Sequence, residues 1–249
     1  MEKIVIIPTY NEIENIEAII AKVFSMQQGY HILVIDDGSP DGTPQAVKKM
    51  MQQYPDQLFI EERKGKLGLG TAYIHGFKWS IAKGYNFIFE MDADFSHPPE
   101  KLLELLDACE NKGAYMSVGS RYVKNGGVVN WPFNRLFLSL FASKYVRLVT
   151  GMRIKDTTAG FVCYRNETLK RIDFDKIKFV GYAFQIEMKF AVWLSEVKVI
   201  EVPIIFKDRE AGTSKMNGSI IKEAMLGVLQ MKLQAFKNKQ NYLPPSISA

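Results

Sequence analysis

The sequence predicts an α/β protein with a mostly parallel central sheet and helices on both faces. Two observations predict it. Continuous apolar, β-branched runs recur at residues 3–8, 31–36, 58–62, 86–91 and 114–119. Segments with helical patterning alternate with them, at about 12–26, 44–53, 71–83 and 99–112. Strands that are apolar throughout belong to sheets covered on both faces, with helices as the connections. Right-handed crossovers bring the C-terminal ends of such strands to one edge, where open α/β sheets bind ligands. The chemically suggestive turns fall there. They are Pro8-Thr9-Tyr10-Asn11-Glu12 after the first strand, Asp36-Asp37-Gly38-Ser39 after the second and Asp92-Ala93-Asp94 after the fourth.

The second half is less regular. Residues 131–150 predict a helix, 161–164 and 197–206 strands, 219–237 a long amphipathic helix and 241–249 a loose tail. No internal repeat or low-complexity tract is present.

Composition bounds the class. The chain has 249 residues, 47% hydrophobic and 24% charged, which is globular rather than disordered or fibrous. Its two cysteines, Cys109 and Cys163, are too few for a disulfide framework or a zinc site. Both sit in apolar contexts, so they read as reduced, buried thiols. The first residues carry no secretory signal pattern. No run approaches the ~20 apolar residues that span a bilayer, which excludes an integral membrane protein for this chain alone. The net charge of +5 divides unevenly: residues 1–125 carry −4 and residues 126–249 carry +9. Such a basic half either faces an anionic partner or is solvated surface.

The two carboxylates of Asp92 and Asp94 are separated by one residue just past a strand. In extended chain, residues i and i+2 share a side. Two like charges held together favour a bound cation, and hard oxygen ligands suit Mg²⁺ or Mn²⁺. The alternative is a pair of solvated turn acids ahead of the helix that Pro98-Pro99 opens. The Asp36–Thr43 run offers carboxylates to a ribose or base, and Thr43 is a helix N-cap candidate. The glycine-rich 63–71 segment lacks the P-loop ending and the dinucleotide spacing, so it is weak evidence for phosphate binding.

In order and spacing, these motifs resemble glycosyltransferase family 2. Gly68-Leu69-Gly70-Thr71-Ala72, Gly119-Ser120-Arg121-Tyr122, Asn130-Trp131-Pro132, Asp156–Phe161, Gly181–Met188 and Asp208-Arg209…Ser214-Lys215 narrow the resemblance. It is to the polyprenyl-phosphate (dolichyl-phosphate) mannose synthase branch, over residues 3–237. The resemblance implies a glycosyltransferase A fold, with a Rossmann-like sheet and C-terminal amphipathic helices. It implies a single domain over 1–240: a nucleotide-sugar and metal half (1–125), an acceptor and membrane-facing half (126–240) and the 241–249 tail. It implies inverting transfer of mannose from GDP-mannose to a polyprenyl phosphate, with Mg²⁺ or Mn²⁺. Pro8, Tyr10, Glu12, Asp36 and Asp37 would line the nucleoside pocket. Asp92 and Asp94 would hold the metal, with Ser96, where relatives often carry Gln, reaching it through water. Arg121, Arg135, Arg209 and Lys215 would hold the acceptor and donor phosphates. An acceptor phosphate is largely ionised near neutrality, so no histidine base is required.

A lipid-phosphate acceptor implies a membrane surface as partner, and leaves room for a separate membrane-anchoring subunit. In the 131–150 segment, Arg135, Ser139, Ser143 and Arg147 form one i, i+4 row, and Phe137, Phe141, Tyr145 and Val149 the next. Such a helix either lies in the interface or packs on the catalytic domain. Core packing is the favoured reading for 219–237. The expected location is cytoplasmic, peripheral on the membrane's cytoplasmic face. The rivals are the same fold with UDP-glucose or another donor, and a catalytically silent lipid-binding scaffold. Nucleic acid is not an expected partner, since no recognition motif is present.

Overall fold

A computed structural model describes residues 2–181, 183–208, 218–237 and 242, without the side chains of 218–224 and 237. The first half follows the predicted alternation: β1 Lys3–Thr9, α1 Ile16–Ser25, β2 Tyr30–Asp36, α2 Thr43–Met51, β3 Leu58–Glu62, α3 Leu69–Ala82, β4 Phe87–Glu90, α4 Leu102–Glu110 and β5 Met116–Ser120. Then come β6 Gly127–Val129, α5 Phe133–Thr150, β7 Val162–Arg165, α6 Asn166–Leu169, α7 Ala183–Leu194, β8 Val199–Pro203, β9 Ile205–Lys207 and α8 Gly218–Lys237.

Seven strands form one sheet in the order β3-β2-β1-β4-β7-β5-β8, and β6 pairs with β9 in a separate ribbon. All neighbours in the large sheet are parallel except β7, which runs antiparallel between β4 and β5. The mostly parallel sheet is thus as the sequence predicts. Winding moves outward from β1 through β2 to β3, then returns to the other side of β1 at β4. That reversal opens a crevice at the C-terminal ends of β1 and β4. The Pro8–Glu12 and Asp92–Asp94 turns flank it.

Ile4, Ile6, Leu33, Ile35 and Ile88 pack on one face of the sheet, and Val5, Ile7, Ile32, Val34 and Phe89 on the other. Cys109 and Cys163 are free and buried. Among the described residues no helix is long and apolar enough to cross a membrane.

Two expectations change, for 197–206 and for the tail, and one helix was not predicted. Residues 197–206 are two strands: β8 joins the large sheet, and past Pro203 the chain leaves it to pair with β6 as β9. Helix α7 was not legible. Every side chain from Phe184 to Val192 is buried, so it shows no polar stripe. Tyr242, in the expected loose tail, is buried; its hydroxyl donates to Glu187 Oε1 at 3.3 Å and its ring meets Phe190 edge-on.

Helix α5 turns part of its polar row inward: Ser143 is buried, and Ser139 Oγ accepts from the Tyr122 hydroxyl at 2.6 Å, while Arg147 is exposed. Phe133, Phe137, Leu140, Phe141 and Leu148 are also exposed, Phe133 by 81% and Leu148 by 84%. Gly151 ends the helix in the left-handed conformation at φ 81°. Helix α8 packs alongside, with Tyr145 donating to the Met225 carbonyl and Lys232 to that of Thr150, both at 3.1 Å.

Candidate active site

A cavity of about 440 Å³ lies at the crevice, below α5 and α8. Its lining includes the polar side chains of Asp92, Asp94, Ser96, Arg121 and Arg135 and the apolar ones of Leu138, Phe141, Tyr145, Val146, Met225 and Val228. An anionic group and an apolar chain thus both find chemically matched residues in one cavity.

Asp92 and Asp94 follow β4, and β4 is anchored from below. Glu90 is fully buried; its carboxylate accepts from Gln185 Nε2 at 2.5 Å and the Tyr164 hydroxyl at 3.0 Å. Burial pushes the Glu90 carboxyl up to about 7 against the pull of Lys189 and those hydrogen bonds. Lys189, also buried, donates to the Ala159 carbonyl and to both the backbone and side-chain oxygens of Gln185. The helix that carries Gln185 and Lys189 therefore ties β4 to the loop through Ala159.

His97 sits beside the carboxylates, buried and stacked on Phe161 at 5.0 Å. Its Nδ1 accepts from the Asp92 backbone N–H at 3.1 Å, which places the ring proton on Nε2. Burial drives the imidazole down to about 4. It is neutral near pH 7, so its 3.9 Å approach to Asp92 Oδ2 is not an ion pair. Asp94 Oδ1 accepts from the Ser96 N–H at 3.1 Å, and the Tyr73 hydroxyl donates to Asp92 Oδ1 at 3.3 Å. The Ser96 hydroxyl is buried with no hydrogen-bond partner among the described residues. Two carboxylates and an orphaned hydroxyl on one cavity wall make an all-oxygen donor set that fits Mg²⁺ or Mn²⁺.

Arg121 enters the cavity gripped by Asp156. Its Nε donates to Asp156 Oδ2 at 2.7 Å, and its Nη2 to Oδ1 at 2.6 Å and to Thr158 Oγ1 at 2.8 Å. Burial alone would raise the Asp156 carboxyl, but the Arg121 charge and hydrogen bonds hold it below the usual range. Arg135 Nη1 donates to Asp208 Oδ2 at 2.7 Å. Arg209 and Lys215 lie outside the described residues.

The nucleoside residues stand apart from this cavity, at the ends of β1 and β2. Tyr10 carries Lys66 over its ring at 4.5 Å, and Glu12 Oε2 accepts from Asn15. Pro8, in β1, is half-buried. Asp37 is held by Arg63 Nε at 2.6 Å and the Leu67 N–H at 3.1 Å. Asp36 is fully buried, taking hydrogen bonds from the Thr9 hydroxyl and from both the N–H and hydroxyl of Ser39. Its place is the scaffold that shapes the turn. The sequence reading gave no role to Asp156, Gln185, Trp131 or Asp208. Each lies within or beside a quoted motif, but which residue each would meet is a matter of tertiary placement.

The model of glycosyl transferase family 2 matches residues 4–177. This chain belongs to glycosyltransferase family 2. Among curated relatives, a polyprenol monophosphomannose synthase from Mycolicibacterium smegmatis is 47% identical, over 91% of this chain and 85% of its own. An undecaprenyl-phosphate mannosyltransferase from Micrococcus luteus is 42% identical over 94% and 96%. Among solved structures, glucosyl-3-phosphoglycerate synthase from Mycobacterium tuberculosis superposes with TM-score 0.65 at 15% identity, covering 98% of this chain and 82% of that one, in a complex with Mn²⁺, UDP-glucose and glycerol 3-phosphate. A mannosyltransferase from Pyrobaculum calidifontis, in complex with GDP-Man and Mn²⁺, gives 0.60 at 19% identity, covering 95% and 64%. At these identities the structures establish the glycosyltransferase A fold.

Proposed function

We propose that this family 2 enzyme transfers mannose from GDP-mannose to a polyprenyl monophosphate, with inversion, giving polyprenyl-phosphate β-mannose and GDP. The observation that carries this reading is the mixed lining of one cavity, carboxylates and guanidiniums together with apolar side chains of α5 and α8. A polyprenyl phosphate has that same mixed character. The polyprenyl-phosphate mannosyltransferase names of the full-length relatives support the same acceptor and sugar.

The chemistry asks for alignment and charge neutralisation. An acceptor phosphate oxygen attacks the sugar C1 while the bond from C1 to the donor diphosphate breaks, and GDP leaves. That oxygen is already ionised near neutrality, so no side chain need remove a proton. Arg121, Arg135, Arg209 and Lys215 hold the phosphates in line. Pro8, Tyr10, Glu12, Asp37 and Lys215 form the donor's nucleoside and phosphate side, and Asp36 shapes the turn behind them. Asp92 and Asp94, with Ser96 through water, would hold Mg²⁺ or Mn²⁺. Such a cation supplies charge neutralisation at the leaving diphosphate.

The outward apolar face of α5 continues onto α8, where Leu226, Leu233 and Phe236 are exposed. These helices rest on the membrane that holds the acceptor, at its cytoplasmic face, alone or with a separate anchoring subunit. The test of the reaction is a matrix of GDP-mannose and UDP-glucose against a prenyl phosphate, scored by extracted sugar-lipid. Product with GDP-mannose and little with UDP-glucose is expected; the reverse would assign the other donor.

A further inference from the structure

Both cavity guanidiniums rest on one indole. The Arg135 guanidinium carbon is 4.1 Å from the Trp131 ring centroid, and that of Arg121 is 5.4 Å from it. Phe206 meets the indole edge-on at 5.5 Å, and is itself 5.5 Å from Arg121. Each arginine is also held by its own carboxylate, Asp156 or Asp208. Trp131 Nε1 is buried with no hydrogen-bond partner among the described residues. A buried donor left this way costs stability unless an acceptor arrives.

We infer that Trp131 is the positioning residue of the acceptor-phosphate site, holding Arg121 and Arg135 against one indole and reserving an N–H donor for the anion they receive. The inference rests on the acceptor reading above. Two cations gathered at one ring repel each other. The shared π-system offsets part of that repulsion, both lying within the ~6 Å range of a cation–π contact. Stacking fixes the plane of a guanidinium, and the N–H groups that Asp156, Thr158 and Asp208 do not take are left to a phosphate. The platform is built by local sequence. Val129 of β6 pairs with Lys207 of β9, the strand that holds Phe206. Trp131 lies two residues beyond Val129, Pro132 then caps α5, and Arg135 is the third residue of that helix.

The test uses farnesyl phosphate as a short acceptor, in calorimetric binding and in turnover, with the GDP-mannose KM and farnesol binding as controls. Trp131→Phe keeps a ring and removes the N–H; Trp131→Leu removes both. Farnesyl phosphate Kd and KM should rise about threefold in the first and more than about tenfold in the second. The GDP-mannose KM, farnesol binding and thermal midpoint should stay near wild type. If the leucine variant does not fold, the phenylalanine variant decides. Unchanged farnesyl phosphate binding would overturn the inference, as would equal losses for donor and acceptor, or for phosphate and alcohol. Wild-type protein that binds farnesyl phosphate without making product would overturn the transfer reaction alone, since Kd still judges Trp131. Wild-type protein that binds none would overturn both.

Discussion

Arg121 and Asp156 form a buried, two-pronged ion pair, Nε to Oδ2 at 2.7 Å and Nη2 to Oδ1 at 2.6 Å. The same carboxylate takes the Arg121 backbone N–H at 2.9 Å. Asp156 therefore fixes both the main chain and the side chain of a guanidinium that lines the active-site cavity. Removing one partner of a buried pair costs about 3–5 kcal/mol, because the other charge is left uncompensated. Asp156→Asn should lower the unfolding free energy from urea titration by that order and raise the acceptor KM. An unchanged unfolding free energy would show that the pair contributes nothing. The folded Asp156 carboxyl lies below its ordinary range, so its stabilisation is complete above about pH 4 and is lost as pH falls through the folded value.

His97 adds a second acid-side slope with a different window. Its folded value is about 4 against 6.5 for the free side chain. The unfolded chain binds the proton first as pH falls, so stability declines from about pH 6.5 downward. The decline is at most about 1.4 kcal/mol per pH unit and ends near pH 4. His97→Phe retains a ring against Phe161. It should be less stable at pH 7, having lost the acceptor for the Asp92 N–H, yet flatter between pH 6.5 and 4. Parallel denaturation curves for the two proteins across that range would count against the assignment.

Asp94→Ala should bind Mn²⁺ and nucleotide together at least tenfold more weakly and lose turnover by a factor on the order of a hundred or more. Its circular dichroism should match wild type. Metal titration followed by paramagnetic relaxation reads binding apart from activity, and near-wild-type binding would remove Asp94 from the metal set.

Gly126 is a steric requirement at the arginine's strand. A Cβ there would lie 2.5 Å from the Ser120 carbonyl oxygen and 3.0 Å from Arg121 backbone atoms. Backbone cannot yield as a flexible side chain does. Gly126→Ala should cost about 1–3 kcal/mol and weaken the acceptor more than the donor, read by paired KM values and thermal melts.

Phe133 and Phe137 are exposed on α5, so replacing both with Ser should leave the unfolding free energy within about 1 kcal/mol of wild type. The double variant should float poorly with anionic liposomes that carry the wild type. Equal flotation would move the membrane contact elsewhere.

The strands β1 to β5 were legible because each is a continuous apolar run closed by a turn, which is the signature of a doubly covered sheet. The Asp92 and Asp94 pair was legible from its place after β4. Other features were not. Helix α7 carries Gln185, Glu187 and Lys189 into the interior, where each finds a partner. Polar residues at every turn of a fully buried helix erase the amphipathic stripe. The antiparallel course of β7 and the departure of β9 depend on which strand lies adjacent, and local patterning does not contain that. The α5 stripe was legible as a pattern, with its direction left open: Arg135 and Ser139 of the polar row line the cavity and Ser143 is buried, while Phe133, Phe137, Leu140 and Leu148 are exposed.

The central claim is transfer of mannose to a lipid phosphate oxygen. The most direct measurement incubates the enzyme with GDP-[¹⁴C]mannose, Mg²⁺ or Mn²⁺ and either a prenyl monophosphate or the same prenyl alcohol, then counts the organic extract. Label should enter the extract with the phosphate and not with the alcohol, and should be released as mannose by mild acid. Equal labelling of the alcohol, or none of the phosphate, would contradict the account.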